Sequence, residues 1–145
     1  MSAPETLLAF DFGLKRIGIA SGDSLTRGAA PRPAAVSGTA GPDWAAIAHE
    51  VNSLRPARLI VGAPYNADGS EGPMTAAARG FAAELERRFA LPVHLVDERF
   101  SSLEATAALR QRRASGTRRR RVTKADIDST AAAVILGRFF TGEGD

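Results

Sequence analysis

Three carboxylates stand where chemistry is possible. Asp11 lies in a run that is otherwise apolar, Leu7 to Phe12. Glu98 comes just after another such run, Val93 to Val96, and Asp128 shortly precedes Ala131, Ala132 and Ala133. A carboxylate in an apolar strand is costly to bury unless it is paired or bound to metal. Each also has an ordinary explanation. Asp11 can cap the turn at Gly13, Glu98 can pair with Arg99, and Asp128 can interact favourably with a helix N-terminus. Asp97 competes with Glu98, and Asp126 with Asp128. Three converging acids without histidine or cysteine make a hard-oxygen site suited to Mg²⁺ or Mn²⁺. Two such ions can activate a water and stabilise the leaving oxygen of a phosphodiester, with no protein nucleophile.

Other chemistries are poorly supplied. The chain has no cysteine, which removes disulfides, thiol nucleophiles and thiolate zinc sites together. Its two histidines, His49 and His94, are far apart and lack metal-ligand spacing. Charge is unevenly distributed. From Arg110 to Lys124 there are eight Arg or Lys and no acid, so the net charge of +3 leaves −5 for the rest. A basic segment on a mildly acidic body points to an anionic polymer such as nucleic acid, the plainer reading being a solvated arginine-rich loop. Arg118, Arg119, Arg120 and Arg121 are its centre, and Lys15 and Arg16 are further candidate backbone contacts beside Asp11. No apolar run approaches the roughly 18 residues that span a bilayer, and Met1 to Thr6 does not read as a signal peptide. A cytoplasmic protein with no membrane partner is expected.

The elements that must position these residues follow from periodicity. Leu7 to Phe12 and Arg16 to Ala20 read as strands, close enough to form a hairpin in which Gly13 supplies turn freedom. Ala29 to Val36 carries Pro31 and Pro33, which demote it to an edge strand or a loop. Pro42 to Leu54 reads as a helix, Leu59 to Val61 as a buried strand, and Pro73 to Phe89 as a second helix. Val93 to Val96 is another strand. Ser101-Ser102-Leu103-Glu104 is a capping box that opens a third helix. A final helix from about Lys124 to Phe140 should bury Ile127, Ala131, Val134, Ile135 and Phe139. A hairpin followed by alternating helix and strand predicts a mixed α/β sheet, with crossovers that place helices on both faces. At 145 residues, one domain spanning 1–145 is expected. Ligands of such sheets collect outside the carboxyl ends of the strands, where Asp11, Glu98 and the Gly62-Ala63-Pro64 loop fall.

At these residues the chain resembles the YqgF/RuvX family, described as Holliday junction resolvases or pre-16S rRNA nucleases with an RNase H-like fold. The matching segments run in the family's order. They are Asp11 to Ala20, Val61-Gly62-Ala63-Pro64 with Asp68-Gly69-Ser70, Asp97 to Ser102, and Ile127-Asp128-Ser129 with Ala131 to Ala133. The resemblance implies catalytic, metal-holding acids at Asp11, Glu98 and Asp128. It implies a five-stranded mixed sheet of order 3-2-1-4-5 with strand 2 antiparallel. Strand 4 then separates the strands bearing Asp11 and Glu98 by about 10 Å. The implied function is a divalent-metal-dependent endonuclease that processes precursor 16S rRNA. The alternatives are resolution of branched DNA and a non-catalytic nucleic-acid-binding module. A phosphotransferase of the actin-like or sugar-kinase kind shares the Asp-Gly hairpin but needs a duplicated domain to close over ATP.

Overall fold

A computed structural model describes residues 4–66, 68–97 and 124–141, the side chains of 124–128 excepted. The central strand is β1, Thr6–Asp11, whose middle residues are buried on both faces. It pairs antiparallel with β2, Arg16–Asp23, through the predicted hairpin, with Asp11 opposite Gly18. On its other side β1 pairs in parallel with β5, Arg58–Ala63, which pairs in parallel with β6, Val93–Asp97. β3, Ala29–Gly38, lies antiparallel beyond β2. The two-residue β4, Gly41–Pro42, covers one end of β3. The full order is β4-β3-β2-β1-β5-β6. The five long strands therefore follow the 3-2-1-4-5 order expected, and β4 adds a sixth.

β3 takes the edge-strand alternative left open by its prolines and runs two residues past Val36. Pro31 and Pro33 cannot donate to a ladder, so they fit only where no partner needs their nitrogen. Pro33 falls at a register shift, where β2 advances from Ile17 to Ile19 while β3 moves from Ala35 to Arg32. The bulge absorbs the proline. Beyond Ser37 and Gly38 the outer edge of β3 pairs with no described strand, so Pro31 interrupts nothing there.

Helices cover both faces, divided by position in the chain rather than by alternate crossovers. α1, Trp44–Leu54, and α2, Pro73–Phe89, share one face. There Ile47, Val51, Ala78, Phe81 and Leu85 pack on Leu8, Phe10, Ile19 and Val61. α1 begins two residues later than its periodicity predicted. Pro42 belongs to β4, and the Asp43 carboxylate caps the helix by accepting from Ala46 N–H at 3.1 Å. The last helix, α3, Lys124–Phe140, covers the opposite face. Its Ile135 and Leu136 meet Leu7, Ala9, Ile60 and Val96. Leu136, rather than the predicted Val134, completes the buried stripe. The predicted helix opening at Ser101 lies outside the described residues.

Candidate functional site

The parallel strands β1, β5 and β6 end together at one edge of the sheet. Phe10 is level with Val61, and Val61 with Leu95. One residue further, β1 reaches Asp11, and two residues further β5 and β6 close with the pair Ala63–Asp97. β5 stands between β1 and β6, so the separation of about two strand spacings, roughly 10 Å, is real. Asp11 is half-buried and follows Leu7 and Ala9 on the face that α3 covers. Val96 belongs to that same cluster, while Leu95 and Val93 pack on the other. By alternation Asp97 falls on the α1–α2 face, away from Asp11. Its main-chain carbonyl accepts from the Arg138 guanidinium at 2.8 Å, which ties the end of β6 to α3. Glu98 lies outside the described residues.

The first turns of α3 carry the third candidate acid, Asp128, whose side chain lies outside the described residues. Ala131, Ala132, Ile135 and Leu136 are fully buried against the sheet. Position 128 precedes Ala131 and Ala132 by three and four residues, so it continues their stripe by one turn, and position 126 does not. The helix is fastened beside it. The Ser129 hydroxyl donates to the Arg32 carbonyl of β3 at 2.8 Å, and the Ile19 N–H of β2 donates to it at 3.5 Å. Ile19 pairs with Phe10, the residue before Asp11. The start of α3 therefore lies over the strands next to Asp11. Among the described residues no three His, Cys, Asp or Glu gather to hold a metal; Glu98 and the Asp128 side chain lie outside the described residues.

Two surrounding loops are built for fixed positions. In the β1–β2 turn a Cβ on Gly13 would stand 2.6 Å from the Arg16 carbonyl oxygen. Its φ is not positive, so glycine is needed there for close approach, not for turn freedom. Lys15 on this turn is exposed and Arg16, the first residue of β2, is half-buried. After β5, the Pro64 carbonyl accepts from the fully buried Thr75 hydroxyl at 2.8 Å, and the same hydroxyl accepts from Gly72 N–H at 3.0 Å. The loop is thus pinned to the first turn of α2. Within the same loop one Asp68 carboxylate oxygen accepts from Ser70 N–H and Oγ at 2.9 and 2.6 Å. Arg118 to Arg121 lie outside the described residues.

Sequence reasoning missed Ser129 and Thr75 as anchors. Their signal was a polar residue inside or beside a stripe of small apolar ones, at Ser129-Thr130-Ala131-Ala132 and at Thr75-Ala76-Ala77-Ala78.

A family model described as "RuvX: Holliday junction resolvase" matches residues 5–142. Proteins named "Putative pre-16S rRNA nuclease" resemble the whole chain. One from Cronobacter sakazakii is 44% identical over 139 residues, covering 96% of this chain and 98% of the relative. One from Salmonella typhi is 43% identical over 136 residues, covering 94% and 96%. Among solved structures, Thermus thermophilus RuvC in complex with a Holliday junction substrate superposes with a TM-score of 0.58 at 16% identity, covering 97% of this chain and 98% of that one. A second T. thermophilus RuvC structure gives 0.56 at 15%, with the same coverage. At those identities the likeness is one of fold, and it agrees with the RNase H-like expectation. With the family model spanning nearly its full length, the chain belongs to the RuvX family.

Proposed function

We propose that this protein is a divalent-metal-dependent endonuclease that cleaves phosphodiester bonds in precursor 16S rRNA. One observation carries the reading. Asp11 ends the central strand at the edge where the parallel strands stop, and Ser129 fastens the helix position next to Asp128 to β2 and β3, on the other side of that strand from β5. The donor set is all oxygen, which fits Mg²⁺ or Mn²⁺. Asp11, Glu98 and Asp128 would hold the ions, with Glu98 favoured over Asp97 because alternation along β6 places Asp97 on the face away from Asp11. When bound, such ions stabilise charge on the attacking and leaving oxygens of the displacement. The carboxylates fix those ions, and no side chain acts as nucleophile. Lys15, Arg16 and Arg118 to Arg121 would hold the flanking phosphates, which fixes the substrate's register without reading its sequence.

The names of the relatives support the precursor rRNA substrate. A branched-DNA substrate is the second reading, favoured by the family description and the RuvC-like fold. Purified protein given precursor 16S rRNA and a four-way DNA junction side by side, with Mg²⁺ or Mn²⁺, separates them. Cleavage of the RNA is expected, and it should stop when the metal is chelated. Cleavage of the junction alone would transfer the assignment to DNA. Binding without cleavage of either would leave a non-catalytic module.

A further inference from the structure

Ser129 is a polar residue, 4% exposed, inside the apolar contact between α3 and the sheet. Its hydrogen bonds leave its own helix. It donates to the Arg32 carbonyl at 2.8 Å and receives the Ile19 N–H over a longer 3.5 Å. These partners face each other across β2 and β3, beside the register shift. One oxygen therefore joins a helix to two strands. The joint is braced from the opposite face. Arg32 Nε donates to Glu50 Oε1 of α1 at 2.7 Å, and Glu50 is itself buried. The rest of the stripe, Ala131, Ala132, Ile135 and Leu136, is apolar and non-directional. Such contacts hold a helix on a sheet without setting its position along the strands. Directional bonds set it, that of Ser129 at the start of the helix and that of Arg138 to the Asp97 carbonyl near its end.

The location of the joint gives it a consequence. Ser129 follows Asp128 in sequence, and Ile19 pairs with Phe10, which precedes Asp11. Ser129 is thus one residue from a proposed metal-holding acid, Ile19 is one strand pairing and one residue from the other, and Arg32 lies one strand further out. We propose that Ser129 is a positioning residue for the metal site, and that its hydroxyl fixes α3 so that Asp11 and Asp128 can share an ion. This rests on the carboxylate-site reading above. Ser129 touches neither substrate nor metal in this role.

Mg²⁺ demands near-ideal octahedral geometry, while Ca²⁺ accepts looser coordination. Loss of positioning should therefore penalise Mg²⁺ more than Ca²⁺. The test is calorimetric titration of the metal-free protein with each ion. In Ser129→Ala, Mg²⁺ affinity should fall on the order of 10–100-fold, as for other groups that orient ligands, and Ca²⁺ affinity by less. Ser129→Thr keeps the hydroxyl and should restore both. Unchanged Mg²⁺ affinity in a less stable Ser129→Ala would overturn the proposal and leave an ordinary core hydrogen bond. Asp11→Asn is titrated alongside. If it binds Mg²⁺ as wild type does, the shared site itself is wrong and the proposal falls with it, a result distinct from the first. Should Ser129→Ala not fold, amide exchange in the wild-type protein decides. By linkage, Mg²⁺ should slow exchange at the Ile19 N–H, and no change there contradicts the proposal.

Discussion

At the scale of single residues, the candidate site is a matter of which atoms are forced together. Gly13 shows it most plainly. Its Cα lies so close to the Arg16 carbonyl that any Cβ must displace main chain, directly beside Asp11. Gly13→Ala should cost about 1–3 kcal/mol, the usual penalty for overpacking. Gly38, at the end of β3, is the matched control, since a Cβ there meets nothing within 4 Å. Gly38→Ala should stay within about 0.5 kcal/mol of wild type. Urea unfolding of the two variants measures the contrast, and equal stabilities would show that the turn yields freely. Asp11 could be singled out from sequence because an acid breaks an apolar run. The choice between Asp97 and Glu98 could be narrowed only by parity, and the parity became definite once Val96 was seen on the α3 face and Leu95 on the other.

At the scale of elements, what could be read in advance tracked how strongly each segment's pattern exceeded its local exceptions. β1 and β5 are short unbroken apolar runs between turn residues, and both are buried strands. α2 occupies Pro73 to Phe89 as its 3.6-residue pattern and N-terminal proline required. For β3 the prolines left an edge strand or a loop open, and the structure takes the edge strand: a bulge absorbs Pro33, and among the described residues only the two-residue β4 pairs with its outer edge. The start of α1 was misplaced because Pro42 suits a first helical turn as well as a strand end. The Asp43 cap decided it. The stripe of α3 shifted from Val134 to Leu136, since its start sits over β2 and β3 while Arg138 reaches the end of β6. The arginine-rich segment between β6 and α3 was legible as charge alone. If it holds phosphates, changing Arg118, Arg119, Arg120 and Arg121 to Gln should weaken nucleic-acid binding. It should also flatten the log–log salt dependence by about 0.7–0.9 for each phosphate no longer neutralised. Binding measured from low to moderate salt gives that slope, and an unchanged slope would make the segment a solvated loop.

At the scale of the molecule, charge is unevenly distributed. Asp11 ends the central strand at the carboxyl edge of the parallel strands, while eight of the nineteen Lys and Arg fall within Arg110 to Lys124. That arrangement suits a polyanion held by its backbone while ions are held by the acids. No described helix is long and apolar enough to cross a membrane. The RuvC-like fold accounts for the sheet order and for helices on both faces, but a fold does not by itself confer an activity. The activity depends on whether Asp11, Glu98 and Asp128 act as one site. Titration of metal-free wild type, Asp11→Asn, Glu98→Gln and Asp128→Asn with Mn²⁺ addresses that most directly, with thermal unfolding of each metal-free protein as the check on folding. Each variant should bind Mn²⁺ far more weakly than wild type. Its metal-free stability should be equal or higher, because one of several mutually repelling charges is gone. Wild-type Mn²⁺ affinity in all three variants would contradict a shared site.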